Sequence, residues 1–532
     1  MYIEPRDIGI RMLVFCLLWC GNLRSQPLSD RSAGPTYDVR SYGAIGDGKT
    51  LNTMAIQHAI DDCRKKGGGT IVISPGNFVV GTLRLYSNMT LYFDAGAVLT
   101  GSAEDLSYGR QKDFGFTGMG AGNKTGILVA SNEENISLDG YGTISGNGTS
   151  FMQMDSLQFG KDFSSKYTRQ GDDYMDPKYG REDGPVLWKG AYEERPGVMA
   201  IFSGCKNITI SHIRFINAPN WTIAFLNSAE VKISGVSIEN NLKIPNSDGI
   251  DLYDSKDILI EGCNIQAGDD AIAVVSSTHV IGTGCILRSR SCGIRVGYNV
   301  FNDHSSGNIL FNNIHIVDCN RGIGIFQRQN GNMENMIFSN MVISTRLHSG
   351  EWWGHGEPIH ISSVPGLGVS TSGKIRHIRF ANIIATGESG IVLYAEDKSA
   401  IEDVSFEQIS LTIKSGPLEQ GYGGNFDLRP VNQLAWAIFK HDIPAIFARN
   451  TGDMSIHDLQ VHWEKGLPVY FTNAVACENC DNLSIERLHE IFAAAPGNRS
   501  AEIRLDHCNE YRIAGISTTA KKRKLLDLRG TN

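Results

Sequence analysis

From residue 206 onward, apolar and polar positions alternate in short runs of the type Asn-Ile-Thr-Ile, bounded by Asn, Asp, Cys or Gly. Alternation with period two marks a strand that buries one face, and Asn, Asp and Gly favour tight bends. The runs begin at Ile208, Val231, Ile258, Val280, Ile309 and Met336, in steps of 23, 27, 22, 29 and 27 residues. Further runs begin at Ile378 and Val404, and near Ile456, Leu483 and Ile503. The stretches between them carry no helical periodicity, which argues against βαβ units. A recurring step of this size, with several strands per step, predicts an all-β chain wound as a right-handed parallel β-helix. Each rung then buries its inward side chains against the rungs above and below. A leucine-rich horseshoe has a comparable step, but its leucine-asparagine consensus is missing.

Upstream of the repeat, Tyr37 to Lys49 reads as a turn-rich lead-in. Thr53 precedes an amphipathic helix with Ile56, Ile60 and Cys63 on one face, stopped by Gly67-Gly68-Gly69. Such a helix would cap the open end of the strand stack and block edge-to-edge association. One β-helix domain is therefore expected over 36–520. Residues 148–195 lack the repeat and are too long for a structureless loop, which predicts an excursion beside a groove or partial disorder. Residues 521–532, opening on Lys521-Lys-Arg-Lys524, read as a solvated basic tail.

Composition fits this picture, with 59 glycines and 16 prolines. A net charge of −8 suggests neither a nucleic-acid partner nor an anionic membrane. Arg6 and Arg11, the apolar run Met12 to Trp19 and the small or polar residues Gly21 to Gln26 read as a secretory signal peptide over 1–25. A secreted or periplasmic, monomeric protein is expected. A lipid anchor at Cys20 is disfavoured because Trp19 stands where a small residue is needed. Beyond the signal no apolar run is long enough to span a bilayer. Nine cysteines remain, and Cys477-x-x-Cys480 predicts a local disulfide in preference to zinc.

Candidate chemistry concentrates between Asn246 and Asp270, where Asp248, Asp269 and Asp270 fall about one coil apart. Stacked coils would bring these acids together, and like charges so placed raise one another's pKa. Asp also caps bends, so spacing rather than residue type carries the functional reading.

These residues resemble glycoside hydrolase family 28, the polygalacturonase and rhamnogalacturonan-hydrolase family. The likeness runs from about Tyr37 to Thr345 and rests on ordered motifs. Arg195-Pro196 leads into a first coil. Asn217-Ala-Pro-Asn-Trp221 resembles Asn-Ser-Pro-x-Trp, Asn246-Ser-Asp-Gly249 resembles Asn-Thr-Asp-Gly, and Gly268-Asp-Asp270 resembles Gly/Gln-Asp-Asp. The resemblance implies an inverting hydrolase, with Asp269 as general acid and Asp248 and Asp270 holding and deprotonating water. No cofactor and no metal are implied.

Two departures change the expectation. Ser291-Cys292-Gly293 stands where the family has Gly/Ser-His-Gly, and Gly324-Ile325-Phe326 where it has Arg-Ile-Lys. Both cations that would hold a uronate carboxylate beside the cleaved bond are missing. Either that sugar is neutral, or Arg295, Arg321 or Arg328 supplies the charge. Asn246 is expected to orient Asp248 or a sugar hydroxyl, and Arg295 and Arg328 to bind substrate. The loop Gly350-Glu-Trp-Trp-Gly-His-Gly-Glu-Pro-Ile-His360 predicts an aromatic platform from Trp352 and Trp353, with Glu357, His355 and His360 as polar contacts. Asp251 and Asp254 read as solvated flanks, and Cys292 as packing. The substrate expected is a pectic or related polysaccharide or oligosaccharide. Two other readings stay open: a calcium-dependent lyase, and a glycan-binding β-helix without catalysis.

Overall fold

The computed structural model describes residues 34–531, apart from 121, 158–161, 180–182, 299–301, 367, 432, 494–500 and 521–523. The expected signal peptide, Cys20 and most of the basic run lie outside the described residues.

The chain is a right-handed parallel β-helix. The strand starts read from the alternation stand one above another. Ile208 pairs in parallel with Val231, Val231 with Ile258, Ile258 with Val280, Val280 with Ile309 and Ile309 with Met336. The column continues through Ile378 and Val404 to Met454, Leu483 and Tyr511. Ile456 is thus two residues past the start, and Ile503 belongs to a different sheet. Among the described residues the strands form one sheet of 25 and a second of 14.

Inward positions hold the coil together. Phe311, Phe338, Phe380 and Phe406 stack with centroid separations of 6.0, 5.2 and 5.1 Å. Each such ring also removes apolar surface from water, worth about 1.5–3 kcal/mol. At the bends, asparagines form ladders in which one side-chain amide donates to the next. Asn135 donates to Asn88 at 2.8 Å and Asn207 to Asn135 at 2.7 Å, all three with φ near +60°. Asn tolerates that left-handed backbone better than other side chains, which explains why it recurs there.

The capping helix spans Thr53–Lys65 and buries Ile56, Ala59, Ile60 and Cys63. Thr53 is its first residue rather than its cap, and its hydroxyl accepts from Gly81 N–H at 2.8 Å. Among the described residues of 148–195, a short antiparallel pair, Met152–Leu157 with Val186–Trp188, flanks the second sheet. Arg169 reaches across to the carbonyls of Gly424 and His441 at 3.1 and 3.0 Å. The excursion therefore clasps later rungs.

Two expectations are corrected. Lys524–Arg529 is not a solvated tail but the last strand of the 14-stranded sheet, paired with Ala501–Asp506. Cys477 and Cys480 are both free and buried, as are the other seven described cysteines. Cys477 and Cys480 sit in the coil interior, where thiols pack as small apolar groups.

Candidate active site

The 14-stranded sheet carries the site. Its strands Ile250–Tyr253, Ile272–Val275, Cys292–Gly297, Arg321–Gln327 and Glu357–Ser363 follow in parallel register. Ile250 pairs with Ile272, so the lap is 22 residues and Asp270, not Asp269, stands one rung above Asp248. Asp269 projects from the preceding turn. One oxygen from each of Asp248, Asp269 and Asp270 lies within 4.8 Å of the others.

Two outward columns run side by side along this trench. One passes from Trp221 through Asp248, Asp270, Cys292 and Arg321 to Glu357. The other passes from Ala224 through Asp251, Ala273, Arg295 and Gly324 to His360. Asp251 is therefore not a solvated flank. It is 0% exposed, and neither carboxylate oxygen has a hydrogen-bond partner among the described residues. Asp254 does sit at the rim, accepting from Asn302 at 2.9 Å and facing His304 Nδ1 at 2.6 Å.

Arg295 lies between the acids rather than open to substrate. Its Nε donates to Asp270, its Nη1 donates to the Gly297 carbonyl at 2.7 Å, and its Nη2 is 4.0 Å from Asp251. Cys292 N–H donates to the other Asp270 oxygen at 3.1 Å. These contacts engage both oxygens of Asp270 and fix its orientation. Burial, together with the neighbouring acids, pushes Asp248 well above the usual carboxylate range. Burial does the same to Asp251, against the pull of Arg295. Asp269 rises to about 7 through burial and the charge of Asp270. A carboxyl that keeps its proton toward neutrality beside a second one bonded to an arginine is a pairing suited to acid–base chemistry.

The second group of predicted residues divides. Asn246 does not orient Asp248; its side-chain oxygen accepts from Arg195 Nη1 at 3.1 Å, and its backbone N–H faces Asp269. Arg328 is buried with its guanidinium over the Tyr298 ring at 5.4 Å. Trp353 meets Tyr298 edge-on at 5.4 Å and donates to Asp162 at 2.9 Å, on the trench wall. Trp352 is no platform: it is 5% exposed, and its indole N–H donates to the Asp183 carbonyl at 2.6 Å. Glu357 is 0% exposed, 3.6 Å from both Arg321 and His360. His355 and His360 are buried as well. The strap 350–356 packs downward because Gly354 N–H donates to Asp427 and Arg429 donates to the Trp352 carbonyl, each at 2.6 Å.

Reading residues in isolation missed four participants. Arg195 is buried and bonds the Pro219 carbonyl at 2.8 Å, with the charges of Asp248 and Asp269 acting on it. Trp221 stacks on Tyr253 at 5.3 Å, forming an aromatic step one rung before Asp248. Tyr298 lies between Arg295 and Arg328, within reach of the Asp269 charge. Arg195 and Trp221 were visible as motif residues. Tyr298 and Tyr253 carried no signal beyond adjacency to a strand end.

Comparison with known proteins agrees with this geometry. Residues 183–421 match the model of glycosyl hydrolases family 28, and residues 36–139 that of rhamnogalacturonase A/epimerase, pectate lyase-like. A probable polygalacturonase of Vitis vinifera is 29% identical over 268 residues, covering 48% of this chain and 47% of that protein. An exo-poly-alpha-D-galacturonosidase of Dickeya chrysanthemi is 32% identical over 250 residues, covering 44% and 41%. The chain thus spans less than half the length of these two relatives. Among solved structures, a Thermotoga maritima exopolygalacturonase superposes with a TM-score of 0.50 at 20% identity, over 71% of this chain and 87% of that one. The Erwinia carotovora polygalacturonase gives 0.51 at 18%, over 73% and 96%. The structural likenesses bear on the coil alone. The family match spans Asp248, Asp269 and Asp270, so the rungs that carry the acids are those similar to glycosyl hydrolases family 28.

Proposed function

We propose that this chain is an exported glycosidase that cleaves a pectic or related polysaccharide by inversion. The observation that carries the reading is the pairing of Asp269, raised to about 7, with Asp270 pinned between Arg295 and the Cys292 N–H. Asp269 gives its proton to the leaving oxygen. Asp270 takes a proton from water on the opposite face of the sugar, and Asp248 holds that water. Arg195 fixes the Asn246 turn, whose backbone N–H keeps Asp269 in place. Trp221 and Trp353 offer aromatic surfaces on either side of the acids. The polygalacturonase names of the relatives support a galacturonan-type substrate.

One observation favours a second reading. The acid oxygens approach within 4.8 Å, closer than the ~6.5–9.5 Å typical of inverting pairs. Retention, with Asp248 or Asp270 as nucleophile, would suit that gap. Replacing Asp269 by Asn and following new reducing ends on pectic oligosaccharides tests the shared claim. Loss of turnover supports it, and full turnover overturns it.

A further inference from the structure

Asp269 is held from two sides. On the rung before it, the Ser247 hydroxyl accepts from the Gly268 N–H at 3.1 Å, and the Asn246 N–H faces the Asp269 carboxyl. On the rung after it, Ser289 Oγ donates to the Asp269 carbonyl at 2.5 Å and accepts from the Ser291 N–H at 2.7 Å. The Ser291 hydroxyl in turn bonds the Asp269 carboxyl. One fully buried hydroxyl, that of Ser289, therefore ties the backbone of the acid to the residue whose side chain meets its carboxyl.

Ser289 is not a step in a structural ladder. At a different bend of the coil Ser228, Ser255 and Ser277 do form one: the Ser228 N–H donates to Ser255 Oγ, and the Ser255 N–H to Ser277 Oγ, each at 3.0 Å. Ser289 stands one rung past Ala267, which has no hydroxyl, and its bonds run to Asp269 and Ser291 instead. Arg290, between the two serines, lies 3.5 Å from Asp183 and 3.4 Å from Asp318, which anchors the turn that carries them.

We propose that Ser289 and Ser291 are positioning residues for Asp269: Ser289 fixes its peptide, and Ser291 aims its carboxyl at the leaving oxygen. The inference rests on the glycosidase reading, which gives Asp269 its task. A hydroxyl suits a proton donor, because it accepts from the acid form and donates to the carboxylate left behind. The acid thus keeps its partner through the whole transfer. The titratable groups facing Asp269 are Asp248, Asp251 and Arg195 from earlier rungs, Asp270 beside it, and Arg295 and Tyr298 from the next. Burial and Asp270 raise the Asp269 carboxyl, while Arg295, the Asn246 N–H and the Ser291 hydroxyl pull it back. Losing the Ser291 bond therefore moves its titration upward.

Two measurements on the full chain test this. Carbon NMR without substrate follows the titration of the Asp269 carboxyl, identified as the resonance missing from Asp269→Asn. Ser291→Ala and Ser289→Ala are each expected to move that titration up by about 0.5–1 on the pH scale. Rates on a pectic oligosaccharide should show the alkaline limb of kcat/KM moving with it, kcat falling about tenfold to a hundredfold, and KM little changed. Ser291→Ala reports even where Ser289→Ala fails to fold. A carboxyl titration that stays in place, or an alkaline limb that does not follow it, overturns the proposal whatever happens to Tm. If the unmodified chain leaves the oligosaccharide intact the glycosidase reading fails, while the NMR titration still decides whether the serines hold Asp269.

Discussion

Arg295 closes on Asp270 from the next rung, its Nε bonded to the carboxylate and its Nη2 4.0 Å from Asp251. A single cation thereby serves two of the four acids in the trench. Replacing Arg295 by Met would leave both without a counter-charge, at a cost of about 3–5 kcal/mol for breaking a buried pair. We expect lower thermal stability and a fall in kcat. Arg295→Lys, which keeps charge but loses the fork, should recover stability more than activity. Calorimetry and initial rates on the two variants check this.

Protonation of Asp269 sets the alkaline limb. Its carboxyl is raised to about 7 by burial and Asp270, so the acid form is lost and kcat/KM should decline as pH rises through that value. Stability follows the same sign. The folded state binds the proton more tightly than the unfolded one, so ionisation destabilises the fold between the ordinary Asp pKa and about 7. Asp269→Asn should raise Tm at pH 8 and leave it nearly unchanged at pH 4, while reducing kcat by roughly 10²–10⁴-fold. A Tm gain at pH 4 alone would contradict this.

The two tryptophans of the strap should separate cleanly. Trp352 is buried and bonded to Asp183, so Trp352→Ala is expected to cost about 3–5 kcal/mol. Trp353 is half-buried on the trench wall against Tyr298, so Trp353→Ala should raise KM with little change in Tm. Urea unfolding beside Michaelis curves distinguishes the two.

A calcium-dependent lyase would bind its cation through these aspartates. Arg295 already bonds Asp270 and lies beside Asp251, so a divalent ion there would face a fixed positive charge. Chelator treatment is expected to leave the rate unchanged, and products should lack the ultraviolet absorbance of unsaturated sugar. Loss of activity on chelation, restored by calcium, would favour the lyase.

Much of the coil was legible because burial repeats. Ile208, Val231, Ile258, Val280, Ile309 and Met336 share one inward column, and alternation announces such a column without any contact being known. Asp248, Asp269 and Asp270 were legible for the same reason, since winding turns a sequence interval into proximity. Asp251 was not. It lies three residues past Asp248 on the outward side, where polar residues usually meet solvent, yet it is fully buried beside Arg295. Trp352 and Glu357 failed in the same way. Their loop looked exposed because glycines flank it, whereas Asp183, Arg429 and Asp427 from distant segments pull it down. Lys524–Arg529 looked like a tail because charge masks a strand that completes a sheet edge.

The anomeric form of the first product tests the central claim most directly. Proton NMR of a pectic oligosaccharide during its first turnovers by the unmodified chain should show the inverted anomer appearing first, and no product with Asp269→Asn. A retained anomer, an unsaturated sugar, or undiminished turnover by the variant would contradict the roles given to Asp248, Asp269 and Asp270.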